Sequence, residues 1–81
     1  MVKVVIWGSL RAATDGLAEV DIDAANFRGV LEALARDYPG LQAQIEAGVS
    51  LSIDGKIYRE AWFTPVHANS EVVLMPFMVG G

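Results

Sequence analysis

The residues best suited to chemistry lie at the end of the sequence, where Gly80 and Gly81 follow an apolar stretch that contains Pro76. Glycine has no side chain to bury and loses the most backbone entropy on folding, so this pair adds little to a core. A thread without side chains can instead enter a narrow channel in another protein and place the Gly81 carboxylate at a reactive centre. Taken alone, chance composition at a frayed terminus explains the pair equally well.

The Gly81 carboxylate becomes reactive when it is joined to AMP, because the mixed anhydride is open to sulfur and nitrogen nucleophiles. No other catalytic group competes with it. The sequence has no cysteine, and we expect its one histidine, His67, to be a solvated loop residue rather than a metal ligand. Ser9 lacks the nucleophile-elbow pattern, and there is no glycine-rich phosphate loop. We therefore expect no metal site, and a partner that supplies the ATP and the catalysis.

Length and composition limit the class of protein. With 81 residues, 53% of them hydrophobic, the sequence predicts one domain over residues 1–81, with residues 76–81 as a protruding C-terminal tail. The formal net charge of −4 and the dispersed basic residues argue against nucleic acid and favour a basic protein partner. No apolar run is long enough to span a bilayer or to form a signal peptide, so we expect no membrane partner and a cytoplasmic location.

Residues 2–7 are rich in β-branched residues and predict a strand, and residues 17–22 alternate between apolar and polar residues and predict another. Residues 71–75 follow a turn and are expected to form the last strand. The first two strands are expected to form a hairpin across a loop at residues 9–16. Asp54-Gly55 separates two further alternating runs and predicts a second hairpin. Residues 62–65 are consistent with either a short edge strand or a turn.

One helix is predicted between the two hairpins. Asn26 is its expected N-cap, and the helix ends before Pro39. Its apolar stripe comprises Phe27, Val30, Leu31, Leu34 and Tyr38. Residues 41–47 are expected to add a short helical turn. A hairpin, a helix and further strands together predict an α+β roll, in which a mixed sheet has the main helix packed across one face.

The first and last strands are apolar on both faces, although one helix can cover only one face of a sheet. If these strands are neighbours, their other face carries an exposed apolar patch. The patch would comprise Val5, Trp7, Val73 and Met75, continued by Phe77 and Met78. Such patches often mark partner-binding sites. The alternative is that residues 41–47 or the loops cover it.

Several segments, in order and along most of the chain, resemble the MoaD/ThiS group of ubiquitin-like sulfur carriers. The first is Trp7-Gly8-Ser9-Leu10-Arg11 after the first strand, and the second is the helix that ends in Tyr38-Pro39. The third is Thr64-Pro65 followed by Glu71-Val72. The fourth is the end of the sequence at Gly80-Gly81. Each motif is weak singly, and together they are fairly specific.

The resemblance implies a β-grasp fold and a thiocarboxylate on Gly81. A ubiquitin-activating-type enzyme would adenylate Gly81 with ATP, and sulfur transfer would follow. In the molybdopterin (molybdenum cofactor) branch, the tail inserts into the large synthase subunit, which accepts the sulfur. The chain would then be a non-catalytic carrier with no bound cofactor, or the small subunit of a molybdopterin synthase-type sulfurtransferase. Gly80 would be the thread, and the partner-binding residues would be Trp7, Arg11, Val73, Met75, Phe77 and Met78.

The tail departs from the family pattern just before the glycines. Phe77 stands in place of a second proline, Met78 in place of a smaller valine, and Val79 in place of a small alanine or serine. The sulfur pathway therefore stays open among molybdopterin, thiamin, cysteine and tRNA thiolation. The sequence is also compatible with a ubiquitin-like modifier that is joined to lysines, and with a non-covalent binding module whose tail is incidental.

Overall fold

The computed structural model describes residues 1–76, whose strands form one mixed sheet. In chain order they are β1 (Val2–Ile6), β2 (Glu19–Ile22), β3 (Val49–Ile53), β4 (Lys56–Tyr58) and β5 (Val72–Pro76). Across the sheet the order is β2-β1-β5-β3-β4. β1 and β5 are parallel, and the other neighbouring pairs are antiparallel. The first and last strands are therefore neighbours, which is the condition for the predicted apolar patch, and β5 is the central strand.

Helix α1 (Phe27–Asp37) packs against one face of this sheet, and the shorter α2 (Gln42–Ala47) lies beside α1. A 3₁₀ turn over Pro39–Leu41 joins the two helices. The predicted N-cap is confirmed, since Asn26 Oδ1 accepts the backbone N–H of Gly29 at 2.8 Å. The helical turn predicted at residues 41–47 is confirmed as α2.

The chain after β4 closes the N-terminus of α1. The backbone N–H groups of Phe27 and Arg28 donate to the carbonyl oxygens of Thr64 (2.8 Å) and Trp62 (3.0 Å). A helix leaves its first N–H groups without intrahelical partners, so these contacts supply acceptors that the helix itself lacks. The segment after β4 is thereby held against α1.

The core lies between α1 and the sheet, and the period-two pattern of the strands builds it. Alternate strand residues face the helix and are fully shielded from solvent, among them Val4, Ile6, Ile22, Leu51, Val72 and Leu74. The helix contributes Phe27, Val30 and Leu34, which are equally buried. Each such side chain stabilises the fold by about 1.5–3 kcal/mol relative to an exposed one. This arrangement is the α+β roll that the sequence predicts.

One segment differs from its sequence-based expectation, and for another the structure decides between two alternatives. The loop predicted at residues 9–16 contains a 3₁₀ helix over Gly8–Thr14, because Leu10 is buried in the core and the Thr14 hydroxyl is bound by backbone oxygens. Residues 62–65 form a turn rather than an edge strand, and Pro65 makes only an isolated bridge with Asn26.

The tail predicted at residues 76–81 includes one residue that the structure describes. Pro76 belongs to β5 and pairs with Val49 of β3. The remaining tail residues, 77–81, lie outside the described part of the chain. Within residues 1–76, neither helix has both the length and the apolarity needed to cross a membrane.

Candidate functional site

The sheet face opposite α1, here called the open face, carries the predicted apolar patch. In the parallel pair of β1 and β5, Val5 lies directly beside Val73. Met75 follows two residues along β5 and pairs with Ser50 of β3. Val5, Val73 and Met75 are all half-buried. Since α2 lies beside α1 on the other side of the sheet, the short helix does not cover this patch.

Trp7 continues the patch beyond the end of β1. Its backbone N–H donates to the carbonyl oxygen of Leu74 at 3.0 Å, so the ladder between β1 and β5 extends one residue past β1. The alternation of a strand places Trp7 on the same side as Val5. Its side chain is 45% exposed. A large aromatic side chain with this exposure beside an apolar patch suits a protein partner.

Arg11 is held at the edge of the same region by the 3₁₀ helix. Its Nε donates to the carbonyl oxygen of Ile6 at 3.1 Å, which ties the guanidinium to the end of β1. The residue is nevertheless exposed. The segment is fixed in turn by Thr14, whose buried hydroxyl lies 3.1 Å from the Arg11 oxygen and 2.9 Å from the Leu17 oxygen. Arg11 therefore holds a positive charge in a fixed place near the C-terminal end of β1.

Three residues that the sequence patterns do not single out also belong to the open face. Ser50, Ile57 and Arg59 line a shallow depression of about 110 Å³ together with Met75 and Pro76. Ile57 is 63% exposed. The signal that could have found these residues is the hairpin register, because an Asp54-Gly55 turn pairs Ser52 with Ile57 and so fixes which strand residues share a face.

The patch is flanked by charge on its β2 side. Lys3 Nζ lies 3.8 Å from Glu19 Oε2, and Lys3 also faces Asp21 across the strand pair. These side chains are mostly exposed, so this ion pair contributes little to stability and leaves a polar border.

Outside the patch, a hydrogen bond from the exposed Arg36 to Asp37, at the end of α1, raises the pKa of Arg36.

Four of the predicted site residues belong to the tail, namely the reactive pair of glycines and two of the partner-binding residues. Gly80, Gly81, Phe77 and Met78 lie outside the described residues. The last described residue, Pro76, ends β5 and lines the shallow depression together with Arg59. His67 is exposed in the turn before β5, as expected. In residues 1–76, no group of three or more His, Asp or Glu side chains is arranged to hold a metal ion.

Solved structures with the same architecture cover nearly all of this chain. A chain of the Amycolatopsis orientalis BexX/CysO complex matches with a TM-score of 0.79 and 17% identity, over 100% of both chains. Mycobacterium tuberculosis CysO, described as an antigen, has a TM-score of 0.80 and 18% identity, over 94% of this chain and 98% of that one. The fold is therefore the predicted ubiquitin-like β-grasp.

A third structure of this fold is the solution structure of small archaeal modifier protein 1 (SAMP1) from Methanosarcina acetivorans. It has a TM-score of 0.77 and 24% identity, over 99% of this chain and 95% of that one. No curated protein sequence matches significantly. The model of the ThiS family, however, matches residues 4–81, which include the segment after Pro76. The chain therefore belongs to the ThiS family.

Proposed function

We propose that this protein is a sulfur carrier that works through the carboxylate of Gly81. A carboxylate oxygen attacks the α-phosphorus of ATP, which releases pyrophosphate and leaves an acyl adenylate. A sulfide equivalent from a donor then adds to the acyl carbon, and AMP departs with the original oxygen. The product is a thiocarboxylate, whose sulfur is passed to an acceptor. The observation that carries the proposal is the ThiS-family match, which runs through Gly81.

The catalysis in this scheme belongs to a ubiquitin-activating-type partner, and the protein's own share is presentation. The central strand β5 carries Val73 and Met75 on the open face and leads, through Pro76, to the last five residues. A partner that seats on Val5, Trp7 and Met75 is therefore adjacent to the start of the tail. Gly80 and Gly81 add no side chain that would obstruct a narrow channel.

For the sulfur acceptor, we propose a synthase subunit of the molybdopterin synthase large-subunit type, as the sequence resemblance implies. The likeness to a chain of the BexX/CysO complex makes a BexX-type enzyme the alternative acceptor. Incubation of the thiocarboxylated protein with each purified subunit and its own substrate distinguishes them. The true acceptor is the subunit that forms its product while the thiocarboxylate on Gly81 is converted back to a carboxylate.

The carrier step itself is tested by the intact mass of the protein. Incubation with the adenylating enzyme, ATP and a sulfide donor should raise the mass by the difference between sulfur and oxygen. Omission of ATP should abolish the gain. A matched variant, Gly80→Val, keeps the carboxylate but adds bulk to the thread, so it should react more slowly. An unchanged mass with an active cognate enzyme would show that Gly81 is not a sulfur-accepting site.

A second candidate function is covalent modification of other proteins. It rests on the likeness to small archaeal modifier protein 1. The same acyl adenylate would then be attacked by a lysine amine, so an isopeptide bond forms and AMP leaves. Peptide mass spectrometry of cell extracts separates the two functions, because a modifier leaves Gly81 attached to lysines of other proteins. Free thiocarboxylate without such conjugates supports the carrier alone.

A further inference from the structure

The helix side of the molecule has a groove that the proposed function does not use. It lies between α1, α2 and the turn after β4, and has a volume of about 660 Å³. Leu31 and Ala35 of α1 and Ile45 of α2 form much of its apolar lining, and Trp62 lines it from the turn. Leu31 is almost fully buried, whereas Ala35 and Ile45 are half-buried. The groove thus has an apolar surface that contacts solvent.

Trp62 is held in place at this groove. Its ring packs edge-on against the buried Phe27 ring, with centroids 5.5 Å apart and an interplanar angle of 78°. Its carbonyl oxygen accepts the N–H of Arg28 at 3.0 Å. The side chain remains 43% exposed, and the next residue, Phe63, is 81% exposed. Fixed, exposed aromatic residues are the type that dominates binding energy at protein interfaces.

The lining of the groove is negatively charged. Glu32, Glu46 and Glu60 contribute three carboxylates, against one cation from Arg28. Arg28 Nε lies 3.8 Å from Glu32 Oε1, so that cation is already paired. Glu60 adopts a φ of +50°, a left-handed conformation that is unusual for glutamate. The groove therefore combines an apolar surface with an acidic rim.

We propose that this groove binds a basic segment of a partner protein, with an apolar side chain in the groove and lysine or arginine on either side. Charge distinguishes this occupant from two others. The chain's own residues 77–81 carry no cation, so they leave the rim unpaired. A second copy of this chain has a net charge of −4 and brings the same carboxylates to the contact, which opposes association.

The groove and the open face lie on opposite sides of the sheet. A partner bound in the groove therefore leaves Val5, Trp7 and Met75 uncovered. The protein can in this way stay attached to one partner through its helices while the open face and the tail engage another. Binding of a partner in the groove is therefore independent of the chemistry at Gly81.

The two tryptophans make this proposal directly testable on the intact protein. Trp62 lines the groove and Trp7 lies on the open face, so their indole N–H resonances, assigned with the variant Trp7→Phe, report the two surfaces separately. The probe is a synthetic peptide that repeats Lys-Leu-Lys. It should shift the Trp62 resonance saturably, with half-saturation below about 1 mM, and leave Trp7 unchanged. Peptides that repeat Glu-Leu-Glu or Lys-Ser-Lys should not bind.

Two charge reversals of equal size provide the matched control. Glu46→Lys changes the rim of the groove, whereas Glu71→Lys changes an exposed position immediately before β5. Glu46→Lys should lower the affinity for the Lys-Leu-Lys peptide about fivefold or more, whereas Glu71→Lys should lower it less than about twofold. Equal effects of the two variants, a shift at Trp7 instead of Trp62, or no saturation would overturn the proposal.

The other occupants give distinct results. If the tail fills the groove, the variant Phe77→Ser shifts the Trp62 resonance in the absence of peptide. If a second copy fills it, sedimentation shows a dimer that Glu46→Lys alters. Either result overturns the assignment to a basic partner. Thiocarboxylate formation by Glu46→Lys should match that of the unaltered protein, because the groove takes no part in the reaction at Gly81.

Discussion

Trp7 donates its backbone N–H to the carbonyl oxygen of Leu74 at 3.0 Å, which fixes the first exposed aromatic residue of the chain to the strand that leads into the tail. Leu74 is fully buried in the core, so this hydrogen bond ties Trp7 to a well-packed strand. The Trp7 side chain is not needed for the contact, which uses only the backbone. The partly exposed Trp7 side chain is therefore available for contact with a partner.

Replacement of Trp7 by alanine should weaken the complex with the adenylating enzyme much more than it weakens the fold. Truncation of an exposed aromatic at the centre of an interface typically costs about 2 kcal/mol, or roughly thirtyfold in affinity. The midpoint of urea unfolding should change little, because the backbone hydrogen bond remains. Calorimetric titration against the enzyme measures the affinity. Phe63→Ala removes a more exposed aromatic side chain in the turn after β4, and this variant should bind the enzyme like the unaltered protein.

A charge placed at Met75 should disrupt the same interface. Met75→Lys introduces an ammonium group at the centre of the open face, where a bound partner would have to desolvate it. We expect adenylation of Gly81 at limiting carrier concentration to fall about tenfold or more. Ile57→Lys places the same charge on the edge strand β4 and is expected to have a smaller effect. Comparable losses would show that the interface extends to β4, and a fully active Met75→Lys would remove the patch from the interface.

The parts of the fold that the sequence predicts are those fixed by local rules. The Asp54-Gly55 hairpin follows from two residues that tolerate left-handed backbone, and their φ values are +51° and +85°. The N-cap at Asn26 follows from its place before an apolar stripe. That β1 and β5 are neighbours is, from the sequence, only a condition of the predicted apolar patch, and the structure meets this condition.

The parts that the sequence does not predict depend on contacts between distant residues. The 3₁₀ helix at Gly8–Thr14 is held by Leu10 in the core and by the Arg11 bond to Ile6, neither of which has a periodic signature. The groove on the helix side is assembled from α1, α2 and a turn whose carbonyl oxygens accept the backbone N–H groups of Phe27 and Arg28. No single segment of sequence encodes such a surface.

At the N-terminus of α1, both the local cap residue and the distant turn after β4 accept backbone N–H groups of the helix, and mutations can separate their contributions to stability. Asn26→Ala removes the acceptor of the Gly29 N–H, while the Phe27 and Arg28 N–H groups keep their acceptors in the turn after β4. We therefore expect only the ordinary loss for one cap, about 1 kcal/mol in the free energy of unfolding. Asn26→Ser retains an acceptor oxygen and should lose less. A loss above about 3 kcal/mol would mean that the turn detaches with the cap.

Gly29 gives this test a second arm, because its replacement should depend on the residue at position 26. A Cβ built at Gly29 would lie 3.2 Å from Asn26 Oδ1, which crowds the cap. In the unaltered protein, Gly29→Ala should change stability little, since the gain in helix propensity opposes this crowding. In the Asn26→Ala background the crowding is gone, and the same change should stabilise by about 0.5–1 kcal/mol. Urea unfolding of the four proteins measures the coupling, and strict additivity would show that the cap and Gly29 do not compete for space.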